Sequence, residues 1–118
     1  MRVSNSKARD KVNALEAFQG SNTFAEWRFH GSGDDQGNHE HRKVYVVYSY
    51  GSHFPMYIYD DQEDKWIGNK DKYSQSTTRH QSLLRPSDGV EIWLNTDEMR
   101  SVVSSCGLLG YMINKAQN

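Results

Sequence analysis

The strongest constraint on the fold lies in the middle of the chain, where residues 44–50 read VYVVYSY. β-Branched and aromatic side chains favour extended backbone, and successive side chains of a strand point to opposite faces. Here valine and tyrosine occupy the even positions of one face, while Tyr45 and Val47 make the other face apolar as well. Because a strand that is apolar on both faces is usually covered on both, the pattern predicts a central strand of a sheet.

Further strands are predicted on either side of this segment. Residues 24–30, FAEWRFH, alternate apolar and polar side chains. Residues 54–60 and 65–68 read FPMYIYD and KWIG, and turn-forming residues separate them from each other and from the central strand. They therefore predict an antiparallel meander. Residues 90–95, VEIWLN, predict one more strand, with Val90, Ile92 and Leu94 on one face.

The segment 31–43 reads GSGDDQGNHEHRK, with three glycines and no apolar residue. Such a composition predicts an exposed and mobile loop. His39 and His41, with Glu40 between them, are of the residue types that bind divalent metals. No cysteine pair or HExxH-type spacing accompanies them, so we expect no metal site.

Three helices complete the prediction. Residues 6–18 have an apolar stripe that ends at Phe18, and Gly20 is expected to stop the helix. A short helix is expected from about 76 to 84, before Pro86. The last helix spans about 96–106, where Asn95 and Glu98 match the capping-box pattern. The fold class is therefore α+β: one domain over 1–118, an antiparallel sheet of about five strands with an N-terminal and a C-terminal helix packed on one face.

Charge and cysteine content limit the classes of function. The chain has 14 Lys and Arg against 15 Asp and Glu, so any electrostatic function must come from a local patch. Cys106 is alone, which excludes an intramolecular disulfide and fits a reducing compartment. No apolar run approaches the roughly 20 residues that span a bilayer, and the N-terminus is charged where a signal peptide is apolar. We expect a soluble cytoplasmic protein with no membrane partner.

Part of the chain resembles a known group of proteins. The stretch VYVVYSYGSHFPMYIYD, then Trp66, then KYSQSTTRHQS at 72–82 is similar to a core shared by small uncharacterised proteins of tailed bacteriophages and some plasmids. That core reads roughly YVVYSYGTPIAVY, a tryptophan or tyrosine, then KYSVTTSKHQ. Gln75 and Arg79 stand here where other members often have Val and Lys. The resemblance implies a role in the cytoplasm of an infected bacterium, and it implies no activity and no functional residues.

The best candidate for a binding site is the segment 65–85. It has five Lys and Arg side chains against one carboxylate, Asp71, a formal local charge of +4. Cations, hydroxyls and free backbone N–H groups at a helix start suit phosphates, and aromatic rings stack on unpaired bases. The predicted phosphate contacts are Lys65, Lys70, Lys72, Tyr73, Thr77, Thr78, Arg79, His80 and Arg85, with Trp66 for stacking. The simpler interpretation is a solvated polar loop.

The expected function is that of a non-enzymatic phage accessory protein without a cofactor, which binds nucleic acid or a host nucleoprotein complex through 65–85. One alternative is an inhibitor that binds a host defence or replication protein through the acidic tip 60–64 or the apolar tail 108–113. A second alternative is a small phosphodiesterase with His80 as general base and His53 as a possible partner.

Overall fold

A computed structural model describes residues 4–33, 39–72, 74–108 and 111. In these residues lie three helices and one sheet of six strands, so the α+β prediction is confirmed. The elements in chain order are α1 Asn5–Asn13, β1 Phe18–Gln19, β2 Thr23–Gly33, β3 His39–Ser49, β4 Pro55–Asp60, β5 Lys65–Asn69, α2 Gln75–Leu83, β6 Ile92–Leu94 and α3 Thr96–Ser104.

The strands follow each other across the sheet in the order β1-β2-β3-β4-β5-β6. β3 lies inside the sheet between β2 and β4, which confirms that 44–50 belongs to a central strand. The first five strands pair antiparallel, but β6 pairs parallel to β5. The wholly antiparallel prediction is therefore wrong at this edge. α2 lies between the two strands in sequence and returns the chain to the end at which β5 began, as a parallel pair requires.

Helices cover both faces of the sheet, so the prediction of helices on one face is wrong. Ala8 and Val12 of α1 and Leu84 at the end of α2 pack with Tyr45 and Val47 of β3. On the other face, α3 packs against the opposite side of β3, through the following buried residues: Val44, Val46, Tyr48, Met99 and Val102. The two apolar faces of β3 account for this arrangement, because each face is removed from water only when another element packs against it.

α1 ends earlier than its apolar stripe predicts. The last helical residue is Asn13, and Leu15 takes a left-handed conformation with φ of 58°. The sheet holds this turn: Trp27 Nε1 donates to the Leu15 carbonyl at 2.8 Å, and the Tyr45 hydroxyl donates to the Glu16 carbonyl at 2.7 Å. Phe18 is buried as predicted, but in β1 rather than in the helix.

The predicted loop 31–43 is largely strand. β2 continues to Gly33 and β3 begins at His39, and their register pairs Phe29 with Lys43 and Gly33 with His39. Residues 34–38 lie outside the described part. β4 first pairs with β3 at Val44, so residues 39–43 of the described β3 pair with β2 alone. The result is a two-stranded ribbon at the end of the sheet.

The last two helices lie close to their predicted positions. Ser74 caps α2, accepting from Thr77 N, and Asn95 with Glu98 forms the predicted capping box of α3. β6 is shorter than the predicted strand 90–95. Val90 lies outside it and packs in the cluster under α1 and α2, whereas Ile92 and Leu94 pack under α3.

Candidate nucleic-acid interface

Four cationic side chains of the predicted segment are exposed around α2. They are Lys70 and Lys72 in the connection before the helix, Arg79 on it and Arg85 after it, and we call them the cationic surface. The ion pairs of the described residues join Lys11 to Glu16 and Arg28 to Glu26, so none of the four is neutralised in this way. These side chains therefore present their charge to solvent.

The burial pattern of α2 directs Arg79 outward. Thr77, His80 and Gln81 are buried against the sheet, and Leu84 follows on the same side. Since each residue of an α-helix advances about 100°, Arg79 lies about 160° around the helix from both Thr77 and Gln81. Gln75 and Ser82, which share the outer side with it, are exposed as well.

The connection that carries Lys70 and Lys72 is held by buried amides. Gln81 Nε2 donates to the Asn69 carbonyl at 3.0 Å and to the Asp71 carbonyl at 3.2 Å. Asp71 Oδ2 in turn accepts from Thr96 N at 2.8 Å, and the bonds from Thr96 lower the pKa of this carboxyl. The Asp71 carboxylate is thus hydrogen-bonded to the start of α3. Lys70 adds to the lowering of its pKa from a distance, but Asp71 forms no salt bridge with Lys70 or Lys72.

Trp93 is the aromatic residue that accompanies the exposed cations. Its side chain is 42% exposed, and the Arg85 guanidinium lies 5.5 Å from the centre of its ring. The ring lies close against Gly68, where a Cβ would approach Trp93 Cζ3 to 2.6 Å. The alternation in VEIWLN could have identified this residue. Trp93 lies on the strand face opposite Ile92 and Leu94, which pack under α3.

Trp66 does not serve as the predicted stacking platform. It is 5% exposed and packs edge-on against Tyr45 at 6.1 Å, within the cluster under α1 and α2. Lys65 is separated from the other cations as well: it begins β5 opposite Asp60, about 13 Å along the strand from Asn69. The stacking prediction for Trp66 is wrong, because a four-residue segment does not reveal which face the partner elements cover. The phosphate contact of Lys65 stays a prediction.

The remaining predicted contacts divide into buried, half-buried and undescribed residues. Thr77 is 1% exposed and His80 is 9% exposed, so their predicted contact with phosphates is wrong. Thr78 is half-buried, and its backbone N–H donates to the Ser74 carbonyl. Tyr73 lies outside the described residues.

A chain of hydroxyls joins the N-cap of α2, the helix itself and the end of β3, and it ends at an imidazole. Ser74 Oγ donates to Thr77 Oγ1 at 3.1 Å, Thr77 Oγ1 lies 3.3 Å from Ser49 Oγ, and Ser49 Oγ lies 2.9 Å from His80 Nδ1. Burial first, and the positive charge of Arg79 second, lower the pKa of His80. The end of the central strand and the inner side of α2 thus meet through this chain of polar groups.

The same geometry bears on the phosphodiesterase alternative. His80 has its Nδ1 engaged with Ser49, whose side chain is 1% exposed. His53, the possible second group, is exposed in the turn between β3 and β4. The imidazole that would act as general base is therefore a packed residue of the interface between α2 and the sheet.

The two protein-binding segments differ in what they leave open. At the acidic tip, Asp60 is buried and its carboxylate accepts from Gln62 N, Glu63 N and Leu108 N, while residues 61–64 are exposed. In the tail, Leu108 and Tyr111 pack against the cluster under α3. Residues 109–110 and 112–113 lie outside the described part.

The described residues contain no group of three or more His, Cys, Asp or Glu side chains placed to hold a metal ion. The side chains of His39 and His41 are not among those described. Of the helices within the described ranges, none has the length and apolar character needed to cross a bilayer.

Comparison with known proteins adds no assignment: the chain matches no protein-family model, no curated protein and no solved structure.

Proposed function

We propose that the protein binds nucleic acid, free or in a nucleoprotein complex, through the cationic surface formed by Lys70, Lys72, Arg79 and Arg85. The observation that carries the proposal is that all four side chains are exposed and none forms an ion pair with a described carboxylate. In a chain with a formal net charge of -1, this is a local excess of positive charge. Exposed cations of this kind bind the phosphate backbone.

The side chains of this region suit contacts with phosphates rather than with bases. Lysine and arginine contact phosphates, and the exposed hydroxyls of Ser76 and Ser82 on α2 add neutral donors. Phosphate contacts position a protein without reading bases, so we expect binding with little dependence on sequence. Trp93, exposed beside Arg85, adds an aromatic surface at the edge of the same region.

The direct test is fluorescence anisotropy with labelled single-stranded and duplex DNA and RNA. The variant Lys72→Gln/Arg79→Gln removes two cations of the surface. A matched control, Lys7→Gln/Arg9→Gln, removes one exposed lysine and one exposed arginine from α1 and changes the net charge equally. We expect the first variant to bind on the order of 10–100-fold more weakly at about 0.1 M salt, and the control to bind like the wild type.

Two outcomes would contradict the proposal. One is the absence of binding to any of these nucleic acids at low salt. The other is an equal loss in both variants, because only a non-specific effect of net charge would then remain. Capture of partners from infected cells with and without nuclease extends the test, since partners that persist unchanged after nuclease treatment would indicate the protein-binding alternative.

A further inference from the structure

β2 has a long side that no other strand covers. The strand spans Thr23–Gly33, but β1 pairs only with Phe24 and Ala25 on the side away from β3. In the described part of the chain no strand lies beside residues 26–33 on that side, and we call this stretch the open edge. The strand at the other end of the sheet, β6, has only three residues. A long row of unpaired backbone groups is a template on which another strand can pair.

The hydrogen-bond pattern determines which backbone groups of the open edge face outward. On the β1 side, Gly20 N donates to the Thr23 carbonyl at 2.7 Å. In an antiparallel ladder the direction of these groups alternates from residue to residue, and the register of β2 with β3 is continuous as far as Gly33. Odd-numbered residues therefore direct their N–H and C=O groups away from β3. On the open edge these residues are Trp27, Phe29, Gly31 and Gly33.

The side chains of the open edge do not protect it from pairing. Natural sheets often block an edge with lysine, proline or a bulge, but residues 26–33 contain neither lysine nor proline, and their register with β3 has no bulge. Glu26 and Arg28 form an ion pair at 3.2 Å, so their charges balance and would not repel a second copy. Phe29, in the middle of the edge, is 72% exposed. Its ring lacks an apolar partner in the single chain.

We infer that the open edges of two copies of this chain pair antiparallel about a two-fold axis at Phe29 and join the two sheets into one. In this register residues 26–32 of one copy lie opposite 32–26 of the other. Hydrogen-bonded pairs then form between Trp27 and Gly31, between Phe29 and its copy, and between Gly31 and Trp27, and each pair exchanges two bonds. The two Phe29 rings lie opposite each other, and Trp27 lies opposite a residue without a side chain.

The position of β1 selects this register. A shift of two residues towards β1 would place Gly31 of the second copy opposite Ala25, whose side of β2 is already paired with Phe18. A shift in the other direction loses residue pairs and separates the two Phe29 rings. The register centred on Phe29 is therefore the longest for which β1 leaves room. A second copy fits this edge because its donors, its acceptors and its exposed ring complement themselves under the two-fold rotation.

This interface is separate from the cationic surface. β3 and β4 lie between β2 and β5 in the sheet, and the cationic surface begins after β5. Pairing through the open edge therefore leaves the cationic surface of each copy accessible. The inference does not depend on nucleic-acid binding, and Lys72→Gln/Arg79→Gln should self-associate like the wild type.

The experiment is sedimentation velocity of the full chain over about a hundredfold range of concentration, since the dimer fraction rises with concentration. We expect an equilibrium between monomer and dimer. Amide hydrogen exchange over the same range, followed by NMR, identifies the surface. The N–H groups of Trp27, Phe29 and Gly31 should become protected as the dimer forms. The N–H of Arg28 faces β3, so its exchange should change little.

Two variants of the open edge test the contact in different ways. Phe29→Lys places like charges opposite each other at the two-fold axis, and Gly31→Pro removes an outward N–H without removing a bond to β3. Each should weaken dimerisation about tenfold or more. Leu83→Lys is the matched control, because it changes an exposed apolar side chain of α2 in the same way, and it should dimerise like the wild type. Far-UV circular dichroism verifies that each variant folds.

Four outcomes would overturn the inference. The chain stays monomeric over the whole range, the dimer persists unchanged in both edge variants, or Leu83→Lys weakens the dimer as much as Phe29→Lys does. In the fourth outcome the amides of the open edge become protected only when a different protein is added, because the occupant is then a foreign strand rather than a second copy.

Discussion

The Ser49 hydroxyl lies 2.9 Å from Nδ1 of His80, although 31 residues separate the two in the chain. This contact joins the end of the central strand β3 to the inner side of α2, and Thr77 extends it to the helix cap at Ser74. The contact is one of several that hold α2 on the sheet with Arg79 outward, together with the hydrogen bond from the Tyr57 hydroxyl to the Gln81 carbonyl.

Replacing Ser49 by alanine should destabilise the fold. The change leaves the His80 nitrogen and the Thr77 hydroxyl without their shared partner in a buried site, which costs about 1–3 kcal/mol. Urea unfolding measures the loss. Ser82→Ala, on the exposed side of α2, is the control and should stay within about 0.5 kcal/mol of the wild type. Equal stability of the two variants would show that the buried chain contributes nothing.

The stability of the fold should decrease as the pH falls below about 6.5. Burial and Arg79 lower the pKa of His80 in the folded chain, so the unfolded chain takes up this proton first as the pH falls. The contribution of His80 is therefore complete above the unfolded pKa and is lost progressively towards the folded pKa, with a slope of at most about 1.4 kcal/mol per pH unit.

Comparison with His80→Asn isolates this residue from the other histidines. We expect unfolding free energies measured between pH 7.5 and 5 to fall more steeply for the wild type than for the variant. Identical pH dependence in both proteins would contradict the assignment of a lowered pKa to His80.

Gly68→Ala should disturb the edge of the sheet at β6. An added Cβ would approach Trp93 Cζ3 to 2.6 Å and Val90 Cγ1 to 2.9 Å, so a ring and a valine must both move. Overpacking of this kind costs about 1–3 kcal/mol. Gly51→Ala is the matched control, since its Cβ would meet only the movable imidazole of His53, at 3.1 Å. The expected result is a lower urea midpoint for Gly68→Ala alone.

The sequence pattern of single segments predicted the elements whose structure depends on interactions within the segment. The apolar faces of 44–50 identified the central strand, and the side-chain chemistry of Asn95 and Glu98 identified the start of α3. The ribbon formed by the ends of β2 and β3 escaped prediction because residues 31–43 have three glycines and no apolar side chain, a composition typical of a loop. The parallel pairing of β6 depends on contacts between distant segments, which no local pattern records.

The candidate site was also predicted only in part, because local sequence shows which side chains are charged but not how distant segments pack. Lys70, Lys72, Arg79 and Arg85 are exposed as expected, because charged side chains rarely lose their water. Trp66 and Trp93 were harder to distinguish, since a tryptophan suits both a core and a binding surface. Only the pairing of β5 with its neighbours determines that Trp66 faces the helices and Trp93 reaches solvent.

The salt dependence of nucleic-acid binding tests the central claim most directly. If all four cations contact phosphates of a duplex, the logarithm of the affinity should fall with the logarithm of the salt concentration with a slope of about -3.6, and Lys72→Gln/Arg79→Gln should reduce its magnitude by about 1.8. A slope that is the same in the wild type and in this variant, or an affinity that does not change with salt, would contradict binding through the cationic surface.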